Sequence, residues 1–327
     1  MPKKSTFNQE ELRTIISNYN VGEIKLIEEF EKGEENINIF VETSTGKYVL
    51  RIYNQKRSYE QILFELSIMD YLFRNGFPTP KIILTKKNSN WFKYDDHFIV
   101  MFSYIEGNSV SFTELNKEQL GSVANNLSLM HKILLDFSPK GNKKREEMFW
   151  FEMEYDIQKN IFPKVINNSN FKEIKQIIEE LVIELPKMMD LLSEFSKDIK
   201  VGIVHNDFQD GNMKFKGNIV SGIFDFDDSC PGAIISDLAI AINNFCFDNN
   251  KLNREKYDFF VRNYEKNIKL SEFEKMAIIP LMIHTNSFSI HNAIRLWSTD
   301  LINGQYYLSV IKWSYKKLKI LSGENDF

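Results

Sequence analysis

Residues 201–229 interrupt a helical chain with a short extended stretch. VGIVH is an apolar run, a polar loop follows it, and MKFK, the turn GN and IVSGIFDF then read as a small hairpin. Around this island the apolar residues recur at helical spacing. NKEQLGSVANNLSLMHKILL and FKEIKQIIEELVIELPKMMDLLSEFSK precede it, and 236–247, 254–268, 271–297 and 304–321 follow. Pro186 inside the second of these predicts a kink or a division of that helix. An irregular segment set in a regular scaffold is where function commonly sits.

The start of the chain has the opposite balance. IKLIEEFEKG, INIFVET and YVLRIYN read as strands, the last two joined as a hairpin through STGK. SYEQILFELSIMDYLFRN predicts a helix over about 58–75 with Ile62, Leu66, Met69 and Phe73 on one stripe, ended by Asn75-Gly76. FPTPKIIL leads into another extended run, and HFIVMFSYIEG predicts a buried strand stopping at Glu106-Gly107. A chain of 327 residues has room for two packed lobes, and the pattern divides it into residues 1–105 and 106–327. The fold class is therefore α+β, a small β-rich part followed by a larger, mainly helical one.

Composition removes several classes. Net charge is −4 with acids and bases intermixed, which argues against a nucleic-acid partner or a membrane surface. MPKKSTFNQEELRTI turns polar at once, and no apolar run approaches the ~20 residues of a membrane span. Cys230 and Cys246 have no metal-type spacing and are expected as reduced core thiols. The expectation is a soluble cytoplasmic protein whose many phenylalanines pack its core.

The polar loop carries the chemistry. His205, Asp207 and Asn212 stand at H-x-D-x-x-x-x-N, and Asp225 follows Asn212 by 13 residues at the end of an apolar strand. Such residues are common in plain loops, and the spacing alone is weak. The hairpin ending in Asp225 is the context that gives it meaning. Phosphoryl transfer asks for one carboxylate to meet the attacking hydroxyl and for hard oxygen ligands to hold Mg²⁺. Asp207 fits the first task, and Asn212 and Asp225 fit the second.

His205-Asn206-Asp207 with Asn212, then Ile223-Phe224-Asp225-Phe226-Asp227, resembles the catalytic core of aminoglycoside phosphotransferases and related small-molecule kinases. GEENINIFVETSTGKYVLRIY, SDLAIAINNFCF and AIRLWS are similar to the homoserine kinase branch, and the resemblance spans roughly residues 22–300. It implies a two-lobed protein-kinase-like fold, ATP and Mg²⁺ as cofactors, and a small-molecule hydroxyl acceptor. On that basis residues 32–36, with Gly33 and Asn36, would cover the phosphates, though a plain turn would look the same. Glu65 would pair with the phosphate-binding cation, or be one more solvated helix charge. Ser103 to Ile105 would be the hinge that meets adenine. His205 and Asp237 would brace the catalytic loop, and His131 reads as a satisfied helix histidine.

One departure stands out. The family usually has lysine on the third strand, where this chain has Arg51. Arg51 would contact phosphates through an altered geometry, serve as a structural partner of Glu65, or point to the surface. Asp227 and Asp228 would extend metal or cationic-substrate binding, or form a solvated turn. Arg295 would clamp a substrate carboxylate or join an internal ion pair. Homoserine or another amino alcohol and an aminoglycoside are the leading acceptors, with choline or a sugar as alternatives. An atypical protein kinase is disfavoured by Phe-Asp after Asp225 and by the lack of Ala-Pro-Glu. Retention of Asp207, Asn212 and Asp225 speaks against a catalytically dead nucleotide sensor.

Overall fold

The computed structural model describes residues 7–30, 36–143, 151–195, 199–249 and 251–323. In chain order the elements begin with α1 (Gln9–Ile16), β1 (Ile24–Glu29), β2 (Ile37–Thr43), β3 (Lys47–Ile52) and α2 (Tyr59–Arg74). Then come β4 (Ile82–Ile83), β5 (Phe92–Tyr94), β6 (His97–Ser103), α3 (Lys117–Leu134), α4 (Phe151–Asn160), α5 (Phe162–Val165) and α6 (Lys175–Phe195). The remainder is β7 (Val201–Val204), β8 (Met213–Lys216), β9 (Ile219–Ile223), β10 (Cys230–Ala233), α7 (Ile234–Phe245), β11 (Phe247–Asp248), β12 (Lys251–Leu252), α8 (Arg254–Tyr264), α9 (Glu272–Thr299) and α10 (Gly304–Gly323).

These elements form two compact units, one comprising Met1–Ser109, Phe137–Lys143 and Asn212–Asp227, the other Val110–Asp136, Lys144–Gly211 and Asp228–Phe327. The hairpin with Asn212 and Asp225, assigned from sequence to the C-terminal part, falls in the first unit.

In the first unit six antiparallel strands run in the order β1-β2-β3-β6-β4, with β5 also on β6. Side chains alternate across a strand, so β3 sends Leu50 and Ile52 to one face and Arg51 to the other. Leu50 and Ile52 join Ile39, Val41, Ile99 and Met101 in a core closed by Leu12, Ile15 and Ile16 of α1. That helix was not expected from its polar sequence. It is short, and three apolar residues plus an Asn8–Glu11 capping box hold it. On α2, Ile62, Leu66 and Met69 are buried as predicted, but Phe73 is 40% exposed, and Phe64, Glu65, Ile68 and Leu72 are buried instead. β6 stops at Ser103, short of the predicted Glu106-Gly107.

The second unit is mainly helical. β7 and β10 pair antiparallel, and Asp237 lies in the first turn of α7, which follows β10 directly. Pro186 does not divide α6, which runs unbroken from Lys175 to Phe195. The missing N–H removes one bond of the ladder, and the buried side chains of Ile178, Leu181, Leu185 and Leu192 hold the rest together. Cys230 and Cys246 are free and buried. No described helix is long and apolar enough to cross a membrane.

Candidate active site

Strand alternation decides the fate of Arg51. Its side chain leaves the sheet on the face opposite the α1 core and meets Glu65 of α2; it does not point to the surface, being only 9% exposed. Nε donates to Asn38 Oδ1 at 2.9 Å, Nη1 to Glu65 Oε1 at 3.1 Å and Asp227 Oδ1 at 2.6 Å, and Nη2 to Asp225 Oδ1 at 3.3 Å. Four of the five guanidinium N–H groups are spent on these. Burial opposes the charge, but Asp227, Asp225 and Glu65 outweigh it and hold the guanidinium protonated well above its ordinary range.

Glu65 is pushed up to about 8, by burial first and by Asp227 second, against the pull of Arg51 and Arg57. Its Oε1 accepts from Tyr53 Oη at 2.9 Å, whereas Oε2 has no hydrogen-bond partner among the described residues. Burial also raises Asp227, yet Arg51 and Arg57 bring it below the usual carboxylate range.

Asp227, offered from sequence to a cationic acceptor, has its carboxylate occupied from within. Oδ1 binds Arg51, and Oδ2 meets Arg57 Nη2 at 3.2 Å and the Asn36 side-chain amide. Its carbonyl accepts from Arg57 Nη1 at 2.8 Å and Lys143 Nζ at 2.6 Å. Asn36 also accepts from the Asn54 N–H at 3.0 Å. Gly33 and the rest of 31–35 lie outside the described residues. Sequence reading missed Asn38, Arg57 and Lys143, because an isolated cation or amide at a strand or loop position carries no signal of its distant partner.

The β8–β9 register sets Met213 opposite Ile223, and the Phe224 N–H donates to the Asn212 carbonyl at 3.0 Å. Asn212 and Asp225 therefore stand at one end of the hairpin. Asp225 has φ of 69°, a left-handed conformation that is costly for a residue with a Cβ. Its side chain is 40% exposed, while Asn212 is buried. Among the described residues no three His, Cys, Asp or Glu side chains gather as a metal cage. One carboxylate and one amide oxygen fit Mg²⁺, which commonly takes one or two protein ligands and completes its shell with phosphate and water.

In the second unit Asp237 organises the loop after β7. Its Oδ2 accepts from the His205 N–H at 2.6 Å and from His131 Nε2 at 2.9 Å, and its Oδ1 from the Asn206 N–H at 2.8 Å. Asn206 turns through φ of 67° at this point. The other His131 nitrogen lies 2.8 Å from Tyr264 Oη. His205 is buried and accepts from the Asp207 N–H at 3.3 Å. Asp207 is half-buried, and Gln209 Nε2 donates to both its oxygens, at 2.8 and 2.9 Å. Gln209 was not singled out from sequence, where an i, i+2 amide looks like any loop residue.

At the expected hinge the Ser103 and Tyr104 N–H groups are spent on the Lys81 and Lys47 carbonyls. The Ile105 N–H has no partner among the described residues, and its side chain lies against Gly222 of β9. Arg295 on α9 is half-buried and donates to Asn292 Oδ1 at 3.1 and 2.6 Å, with no acidic partner among the described residues.

A family model described as "Phosphotransferase enzyme family" matches residues 26–265. Homoserine kinase of Methylorubrum populi is 25% identical over 277 residues, covering 84% of this chain and 81% of that protein. Homoserine kinase of Zymomonas mobilis is 23% identical, with 85% and 83% covered. Among solved structures, amicoumacin kinase hAmiN in complex with AMP-PNP, Ca²⁺ and Ami superposes with a TM-score of 0.74 at 16% identity, covering 97% of this chain and 94% of that one. A microcompartment-associated aminopropanol kinase gives 0.66 at 12% identity, covering 96% and 97%. The α+β kinase-like fold expected from sequence is the fold these structures share with this chain.

Proposed function

The chain belongs to the phosphotransferase enzyme family, and we propose that it transfers the γ-phosphate of ATP to the hydroxyl of a small amino alcohol, homoserine first among them. One observation carries the reaction: Asn212 and Asp225 stand at one hairpin end, with Asp225 tied to the buried Arg51. Asp207, five residues before Asn212, meets the acceptor hydroxyl and takes its proton. Asn212 and Asp225 would hold Mg²⁺, which would supply the neutralising charge that phosphoryl transfer requires. Arg51, with one N–H unspent among the described residues, acts chiefly as the counter-ion that orients Asp225, and Glu65 and Asp227 fix Arg51 in turn. Ile105 offers its N–H to adenine. Asn36 closes the 32–36 loop expected over the phosphates, while its side chain is held by Asp227 and the Asn54 N–H. Use of ATP agrees with the cytoplasmic setting expected from the sequence.

The homoserine kinase relatives support homoserine as acceptor, and Arg295 answers the carboxylate that homoserine carries. Asp227 does not favour a polycationic antibiotic, since internal arginines occupy it. A coupled ATP-turnover screen over homoserine, aminopropanol, choline, aminoglycosides and sugars tests the reading. Homoserine should give the highest kcat/KM. A preference for another hydroxyl compound overturns the acceptor, and phosphorylation of proteins alone overturns the class.

A further inference from the structure

The segment Phe137–Lys143 leaves the helical region in sequence and packs within the first unit, along α2. Phe137 stacks on Tyr71 with centroids 4.2 Å apart. The Lys140 N–H donates to Ser67 Oγ at 3.0 Å. Gly141 turns with φ of 80° so close to α2 that an added Cβ would lie 2.3 Å from the Glu60 carbonyl and 2.8 Å from the Phe64 nitrogen. Only glycine permits that approach. Two residues later Lys143 places its ammonium 2.6 Å from the Asp227 carbonyl oxygen. No sequence motif marked this segment.

Asp225 adopts its left-handed conformation two residues before that carbonyl. Such a conformation persists only where the surroundings over-determine it. Arg51, Arg57 and Asn36 grip the Asp227 carboxylate, and Arg57 and Lys143 grip its main-chain oxygen. A hold on the main chain constrains the turn's backbone directly. We propose that residues 137–143 are a strap seated on α2 that makes Lys143 a positioning residue for Asp225, acting through the Asp227 carbonyl. The strap couples the helix that carries Glu65 to the strand end that carries the metal ligand. This rests on the reading of Asp225 as a Mg²⁺ ligand.

The test is calorimetric titration of ADP with and without Mg²⁺, beside melting temperature and the Mg²⁺ dependence of turnover. In Lys143→Met the gain in ADP affinity on adding Mg²⁺ should shrink about ten-fold, as outer-shell losses at metal sites do, while metal-free ADP binding stays unchanged. Lys143→Arg should restore most of it. Gly141→Ala, which forces the strap off α2 while keeping the lysine itself, should reproduce the loss. A lower melting temperature with the Mg²⁺ gain intact in Lys143→Met means a merely structural lysine and overturns the proposal. Asp225→Asn separates the two levels: loss of the Mg²⁺ gain there, with none in Lys143→Met, overturns the strap alone. Retention of the gain in Asp225→Asn overturns the metal assignment and the strap with it.

Discussion

Arg51 Nη1 lies 2.6 Å from Asp227 Oδ1 and 3.1 Å from Glu65 Oε1, so the nearer carboxylate on the strand's arginine belongs to a residue 176 positions away. The helix glutamate is the second carboxylate on a guanidinium that reaches four acceptors. This fits arginine better than the lysine usual in the family, because an ammonium is a point charge without a fixed fork.

Arg51→Lys should therefore destabilise the protein despite restoring the family's usual residue. The buried carboxylates lose contacts that a lysine cannot all replace, at a cost of about 3 kcal/mol. Urea denaturation checks this, and an unchanged midpoint would show that the fork is dispensable.

Asp207→Asn should lower kcat by a factor of about 10³ with little change in ADP affinity, since it removes the proton acceptor and spares the nucleotide contacts. Gln209→Ala is subtler. Gln209 donates to both Asp207 oxygens and so fixes the orientation of the carboxylate. Without that donor kcat should fall about ten-fold while ADP affinity holds, read by turnover and calorimetry together.

Asp237→Asn tests the loop. The amide retains one acceptor and offers an N–H where the His205 and Asn206 N–H groups and His131 converge. The expected cost is about 2–3 kcal/mol of stability with a marked fall in kcat, read by melting and turnover together. Stability loss with normal turnover would detach Asp237 from catalysis.

A pH effect should arise at Glu154 of α4, which is fully buried beside α9. His284 Nε2 lies 2.8 Å from its Oε2, His291 Nδ1 lies 3.2 Å from its Oε1, and Ser287 Oγ donates to Oε1 at 2.9 Å. Burial raises this carboxyl, but the two histidines outweigh it and bring it from 4.5 down to about 2. A depressed carboxylate stabilises the fold above its unfolded value, and that contribution is lost as pH falls from about 5 toward 2. The loss amounts to about 3 kcal/mol. Glu154→Gln should melt earlier at neutral pH and show a flatter acid limb between about pH 5 and 3.

Sequence patterns reached the elements wherever their signal is local. Turn residues at STGK and the two periodicities placed β2, β3 and α2, the hairpin β8–β9, and the long helices. Helix α1 escaped because its stability comes from packing onto the sheet, and the run of α6 through Pro186 because tertiary contacts outweigh one lost hydrogen bond.

The spacing of His205, Asp207, Asn212 and Asp225 was fully present in the chain, since those residues share one loop and one hairpin whose geometry is short-range. The sequence by itself determined the phosphotransferase class and pointed to the residues proposed to bear the reaction. Only the tertiary structure decided what Arg51 and Asp227 do. Their charges meet because β3 turns Arg51 inward while β9 and the turn after it carry Asp227 to the same buried place. A cation's role depends on which acceptors burial brings within hydrogen-bond reach, and no local pattern along a chain encodes a partner 176 residues away.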